Sequence, residues 1–214
     1  MSADFPGLAR ARRQAEVPDV PQIYVSGASG NVIAGKYNDG SDRDRQGLVD
    51  RLHRAIVKAW KSTERRPLKQ VEFRAEPVAL TIRNSPGFTS EDLQHRLLHA
   101  KSSTDSSLAA MGLSCRHQFE SGKPILVAAI DLGEAQFVLL PGESYVEYQL
   151  LAQQMRPDSF VIVAGYGECS PGYIPVEKAW EERDSNLAGW CWISPGAEQA
   201  MNNALRRVLL AKDP

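Results

Sequence analysis

A chain of 214 residues, 43% of them hydrophobic, is long enough to close a hydrophobic core of its own. Its 25 basic and 26 acidic residues are interspersed and leave a formal net charge of -1, so charge gives no case for binding nucleic acid or an anionic membrane surface. No apolar run approaches the roughly 20 residues that span a bilayer. Met1 to Arg13 lacks the apolar centre of a secretory signal, and Cys115, Cys169 and Cys191 fit neither a zinc ribbon nor a disulfide framework, so the chain reads as cytoplasmic.

In chain order, Pro6 to Ala15 predicts a short helix with an Arg-rich outer face, ended by Pro18 and Pro21. Ile23-Tyr24-Val25 reads as a brief strand running into Ser26-Gly27-Ala28-Ser29-Gly30-Asn31. A strand followed by Gly-x-x-Gly is similar to the phosphate loop of short-chain dehydrogenases, in which glycines let the backbone approach a pyrophosphate at a helix N-terminus. Here Ile33 stands at the third glycine position and the sequence that follows is turn-rich, which favours a tight loop lining a sheet edge. A nucleotide-binding enzyme using Gly27 to Asn31 stays open as an alternative.

Asp42 to Lys61 predicts a helix with Leu48, Leu52, Ala55, Ile56 and Ala59 as its apolar stripe and His53 on the partly exposed flank. Val71, Phe73 and Ala75 alternate with charged residues, and the apolar phase slips after Pro77, which predicts an edge strand with a bulge or break at the proline. Thr89 and Asp92 form a capping pair for a helix through Ala100, on which His95 and His99 lie four apart and face away from Leu93 and Leu97. That spacing can grip a metal, but no acid follows His95, and exposed histidines are the reading adopted. Ser106 to Phe119, with Cys115 and His117, is a further predicted helix.

Ile125 to Ile130 and Ala135 to Leu140 predict a hairpin around Asp131 to Glu134, giving a sheet with parallel and antiparallel parts. The stretch from Ala135 to Pro175 then organises the rest. It reads as strand, Pro141-Gly142-Glu143 turn, helix from Tyr145 to Met155, strand Phe160 to Val163, and a loop through Tyr166, Glu168, Cys169 and Tyr173. Strands this apolar predict burial on both faces and a parallel crossover. Both strands of such a unit end on one sheet edge, so Glu143 and the Tyr166 to Tyr173 loop should converge there. The predicted pocket lining is Gly27, Gly30, Asn31, Tyr166 and Glu168. Val176 to Arg183 reads as helical, Asp184 to Gly189 as a loop and Trp190 to Ile193 as a short strand or aromatic plug. Ser194 and Pro195 start a last helix with Ala197, Met201, Ala204, Leu205, Val208 and Leu209 buried.

Leu140-Pro141-Gly142-Glu143 followed by Gly172-Tyr173-Ile174-Pro175 resembles the neutral/alkaline non-lysosomal ceramidase family, and Ser26 to Asn31 is similar to that family's glycine-rich segment. The resemblance implies a zinc-dependent amide hydrolase acting on a small-molecule or lipid-like amide, with Glu143 and Tyr173 as zinc ligands. The family's other two ligands are histidines upstream of the glycine-rich segment. Here the 25 residues before Ser26 contain no histidine, and His53, His95, His99 and His117 do not match in chain order. The expectation is a mixed α/β domain over residues 1–214, a largely buried sheet with flanking helices, forming the C-terminal part of an incomplete catalytic domain. Such a domain should expose core surface and self-associate, or pair with a partner chain that covers the missing N-terminal part. A non-catalytic binding or assembly module, completed by histidines from another polypeptide, is the alternative.

Overall fold

A computed structural model describes residues 4–36, 38–168 and 171–210. Cys169 and Ser170, part of the loop singled out above, lie outside the described residues. The chain forms two compact units, one from residues 4–25 and 33–67, the other from 26–32 and 68–210.

The first unit pairs helices α1 (Asp4–Glu16) and α2 (Asp42–Lys61). Ser41 caps α2 by accepting from the Asp44 amide at 3.2 Å. Arg12 meets Asp50 at 2.9 Å across the pair. The buried stripe of α2 runs through Val49 and His53, one position on from the expected Leu48 and Leu52. His53 is therefore only 7% exposed, a correction to its predicted place on the flank. Its Nε2 lies 2.9 Å from a Glu16 carboxylate oxygen, close enough for an ion pair though off the axis of a well-aligned hydrogen bond. That contact, aided by Arg13 against some desolvation, holds the Glu16 carboxyl below its usual range. Ile23-Tyr24-Val25 forms no strand, and all three side chains are exposed. Apolar character alone does not make a ladder, because each backbone N–H and C=O needs a partner strand.

The second unit is built on an open sheet in the order β1 (Glu72–Val78), β2 (Ile125–Asp131), β3 (Ala135–Leu139), β5 (Phe160–Ala164). β1–β2 and β2–β3 are antiparallel and β3–β5 parallel, so the sheet is mixed as expected. Asp131 makes the hairpin turn, accepting from the Gly133 amide at 2.7 Å. β1 is the edge strand, but its register with β2 runs unbroken from Glu72 opposite Asp131 to Val78 opposite Ile125. Pro77 sits inside it without a bulge, since an edge strand leaves one row of backbone groups unpaired anyway. A second, two-stranded parallel sheet joins β4 (Glu143–Ser144) and β6 (Tyr173–Ile174).

Helix α5 (Val146–Met155) links the two sheets, and α7 (Ala197–Leu210) packs over β1 and β2. Val127, Ala129, Val138, Val161 and Val163 meet Tyr148, Ala152, Met201, Leu205 and Val208 to form the main core. All six residues of the predicted α7 stripe are buried. The helix starts at Ala197, however, and Ser194 gives its hydroxyl to the Ile82 carbonyl instead of capping. Helices α3 (Ser90–Leu98), with the predicted Thr89–Asp92 capping box, and α4 (Ser103–Glu120) pack as a pair. Phe88, Cys115 and Trp192 form a smaller core beside them. A short helix α6 (Glu177–Glu181) and a 3-10 turn at Ser185–Ala188 complete the unit.

The strands are not buried on both faces. Burial alternates along β2, β3 and β5, and helices cover one face. Continuous apolar sequence reports what a strand could bury, whereas the layers present decide what it does bury.

Candidate functional site

Pro141 and Gly142 turn the chain from β3 into β4, and the loop after β5 returns it to β6. The predicted convergence occurs: Glu143 and Tyr173 are register partners on β4 and β6. Side chains of paired residues in a ladder share a face, so the carboxylate and the phenol stand side by side. The strands are held by the Glu143 amide donating to the Gly172 carbonyl at 2.9 Å and the Tyr145 amide donating to the Ile174 carbonyl at 3.1 Å. Gly172 has φ of +70°, and a Cβ there would lie 2.1 Å from the Trp190 carbonyl oxygen, so glycine is required.

Ser26 to Val32 threads between these pieces. The Gly165 amide donates to the Ser26 carbonyl at 2.9 Å and the Gly30 amide to the Ser144 carbonyl at 3.0 Å. A Cβ on Gly30 would sit 2.3 Å from the Glu143 carbonyl oxygen. Backbone packing thus accounts for this glycine, and between Asn31 and Ser41 no helix begins among the described residues. The helix N-terminus that a pyrophosphate loop requires is not there, which removes the support for nucleotide binding. Asn31 serves instead as a distant cap for α5: its Oδ1 accepts from the Val146 amide at 2.9 Å, and its Nδ2 donates to Glu147 at 2.9 Å.

Glu143 is half-buried, and the Trp190 indole N–H donates to its Oε1. Burial raises the Glu143 carboxyl above its ordinary value, with the indole pulling the other way. Burial also raises the Tyr173 phenol, and the Glu143 charge adds to it. The Tyr145 ring meets Tyr173 edge-on at 6.0 Å, and its hydroxyl donates to Asp184 at 2.7 Å. The buried Cys191 thiol, pushed up to about 11 by desolvation, is held as an inert neutral group against the Tyr173 carbonyl.

Of the predicted lining residues, Asn31 borders a cleft of about 460 Å³ shared with Tyr145, Glu147, Lys178, Glu182 and Asp184. Glu143 and Tyr173 are not in its wall. Tyr166, at φ of +60°, is hydrogen-bonded to the Ser29 hydroxyl at 3.0 Å. Gly27 packs against Gln149, and Glu168 is exposed. Trp190, Tyr145 and Asp184 were not singled out by the sequence. Trp190 lies 47 residues from Glu143 and Asp184 lies 39 from Tyr145, so no local pattern announces either pair.

His95 and His99 stack at 4.2 Å on the exposed side of α3, His99 bonding the His95 carbonyl, and His117 is exposed in the last turn of α4. No group of three or more His, Cys, Asp or Glu that could hold a metal converges among the described residues. A catalytic zinc normally takes three protein ligands and prefers nitrogen or sulfur among them. Two oxygen donors, one of them already bonded to an indole, do not by themselves fit that ion.

No protein-family model matches the sequence, and no curated protein matches it. Solved structures do. The neutral ceramidase from Pseudomonas aeruginosa superposes over 99% of this chain with a TM-score of 0.62 at 14% identity. A ceramidase complexed with C2 gives a TM-score of 0.65, also at 14% identity and 99% coverage. The fold is ceramidase-like. The chain spans 41% and 42% of the length of these two structures. Among the described residues no helix is long and apolar enough to cross a membrane.

Proposed function

We propose that this chain is the part of a ceramidase-like amide hydrolase that contributes the oxygen donors Glu143 and Tyr173 to a metal site. The nitrogen donors come from a polypeptide segment outside these 214 residues. The observation that supports this reading is the register pairing of Glu143 with Tyr173 in a fold that matches ceramidase structures. Trp190 fixes one Glu143 oxygen and leaves the other for a ligand, while the Tyr145–Asp184 bond and the edge-on ring contact hold Tyr173 in place. The substrate class that fits the reading is a small-molecule or lipid-like amide.

A second reading, a binding or assembly module without catalysis, is favoured by the indole N–H already occupying Glu143. Zinc bound at equilibrium in zinc-containing buffer, measured with turnover of a panel of N-acyl amides, separates the two. The hydrolase-part reading expects weakly held zinc that is lost in Glu143→Ala, and no turnover by the chain alone. One retained zinc per chain with amide turnover would overturn its incompleteness. Zinc content indifferent to Glu143→Ala would overturn the reading itself and leave the binding module.

A further inference from the structure

The strand pairings assign every side chain of the four-stranded sheet to a face. Phe73 faces Ile130, Ile130 faces Phe137, and Phe137 faces Ile162, so these four large side chains form one row across all four strands. The next row on the same face is Ala75, Ala128, Leu139 and Ala164. Pro77 with Leu126, and Ala135 with Phe160, extend the face at its two ends. No charged or polar side chain stands in any of these positions. α5 and α7 cover the opposite face, and of these twelve residues only Ala164 is buried. Phe73 is 69% exposed and Phe160 72%.

We infer that this open face is an interface for a second copy of the chain. Three properties of the face point to that occupant. A two-fold interface must be complementary to itself, each residue contacting its counterpart's neighbour. Here a ridge of Phe73, Ile130, Phe137 and Ile162 lies beside a furrow with alanine at three of its four positions. A second copy turned about an axis between the two rows sets each ridge into the other's furrow. Charge is the second property: two copies meet without like charges, while a charged partner would find nothing to pair with. Area is the third. With buriable areas on the order of 150–250 Å² per aromatic side chain, the face offers roughly 600 Å². That is at the upper limit of the apolar patch a monomer ordinarily exposes. Two copies would bury about 1,200 Å², the lower end of specific interfaces, so a reversible dimer is expected. Two twisted sheets stack at about 10 Å with strands near 30° apart, as in β-sandwiches. This inference stands on the sheet and does not depend on the hydrolase reading.

Sedimentation equilibrium of the full chain tests it. The expected result is a concentration-dependent rise from the 23.6 kDa of one chain to twice that mass. Phe73→Glu with Phe160→Glu charges the rim at solvent-facing positions, and Ala75→Phe fills the furrow without adding charge. Both variants are expected to stay monomeric with unchanged far-UV circular dichroism. Binding of an apolar dye by the wild-type chain is a readout that needs no variant, and dye bound per chain should fall as concentration rises. A wild-type chain that stays monomeric overturns the inference, as does a dimer that survives both variants, or dye binding independent of concentration. A monomer that instead takes up a different protein on this face also overturns it.

Discussion

The two faces of the four-stranded sheet are made by the same strands, yet the wholly apolar face is not the one that is covered. One is sealed by α5 and α7 around Val127, Val138 and Val163; the other leaves Phe73 and Ile162 exposed. The covered face even carries polar groups. Gln136 is fully buried and donates to Asp131 at 2.8 Å, and Arg74 lies 3.5 Å from the same carboxylate. Apolar content therefore does not decide which face is the core. The helix that docks decides it, and the covered face accommodates these polar groups through the Gln136 amide N–H and Arg74 on the Asp131 carboxylate, although the Gln136 Oε1 finds no partner among the described residues.

Adjacent substitutions in one strand sharpen this contrast most. Val138→Asp places an unpaired carboxylate in the main core and is expected to cost about 3–5 kcal/mol or prevent folding. Phe137→Asp, one residue away on the open face, is expected to cost about 1 kcal/mol or less in the monomer. Urea unfolding of the two variants at low concentration checks this, and equal losses would mean that both faces are core. Next in size, Leu205→Ala on α7 should cost about 2–5 kcal/mol by opening a cavity, while Phe73→Ala stays within about 0.5 kcal/mol. Thr89→Ala, which removes the α3 capping box far from either face, should cost about 0.5–2 kcal/mol in the same assay and calibrates the scale.

The finest test is pH. Burial works against the Asp131 carboxylate, but the Gly133 amide, the Gln136 side chain and the Arg74 charge outweigh it and hold the folded-state pKa below the ordinary value. A carboxyl lowered on folding stabilises the protein above its unfolded pKa of about 3.9, and that stability is lost as pH falls through the lower folded value. Wild-type stability should therefore decline in that acid window. Asp131→Asn should flatten the decline while lowering stability at neutral pH. An unchanged acid slope would mean that the buried network does not hold this charge.

Local chemistry made much of the fold legible. The Thr89 cap, the Asp131–Gly133 turn and the α7 stripe are short-range patterns, and they were readable because the residues that satisfy each other lie within a turn or two. The convergence of Glu143 with Tyr173 was also readable, because a strand–helix–strand crossover with parallel strands brings both ends to one edge. What stayed hidden depends on contacts distant in sequence. The burial of His53 rests on the α1–α2 pairing, the cap of α5 comes from Asn31, and Trp190 reaches Glu143 from the far side of β6. Ile23 to Val25 misled because apolar character says nothing about whether a partner strand exists.

We propose Glu143 and Tyr173 as a pair of oxygen donors that this chain alone does not complete. Zinc titration followed by ultraviolet difference absorption tests it most directly, because a tyrosine that ligates a metal loses its proton and shows the tyrosinate band. The expected result is a band that grows with weak, non-stoichiometric affinity and vanishes in both Tyr173→Phe and Glu143→Ala. A tight one-to-one response that survives either substitution, or no tyrosinate band at any zinc concentration, would contradict it.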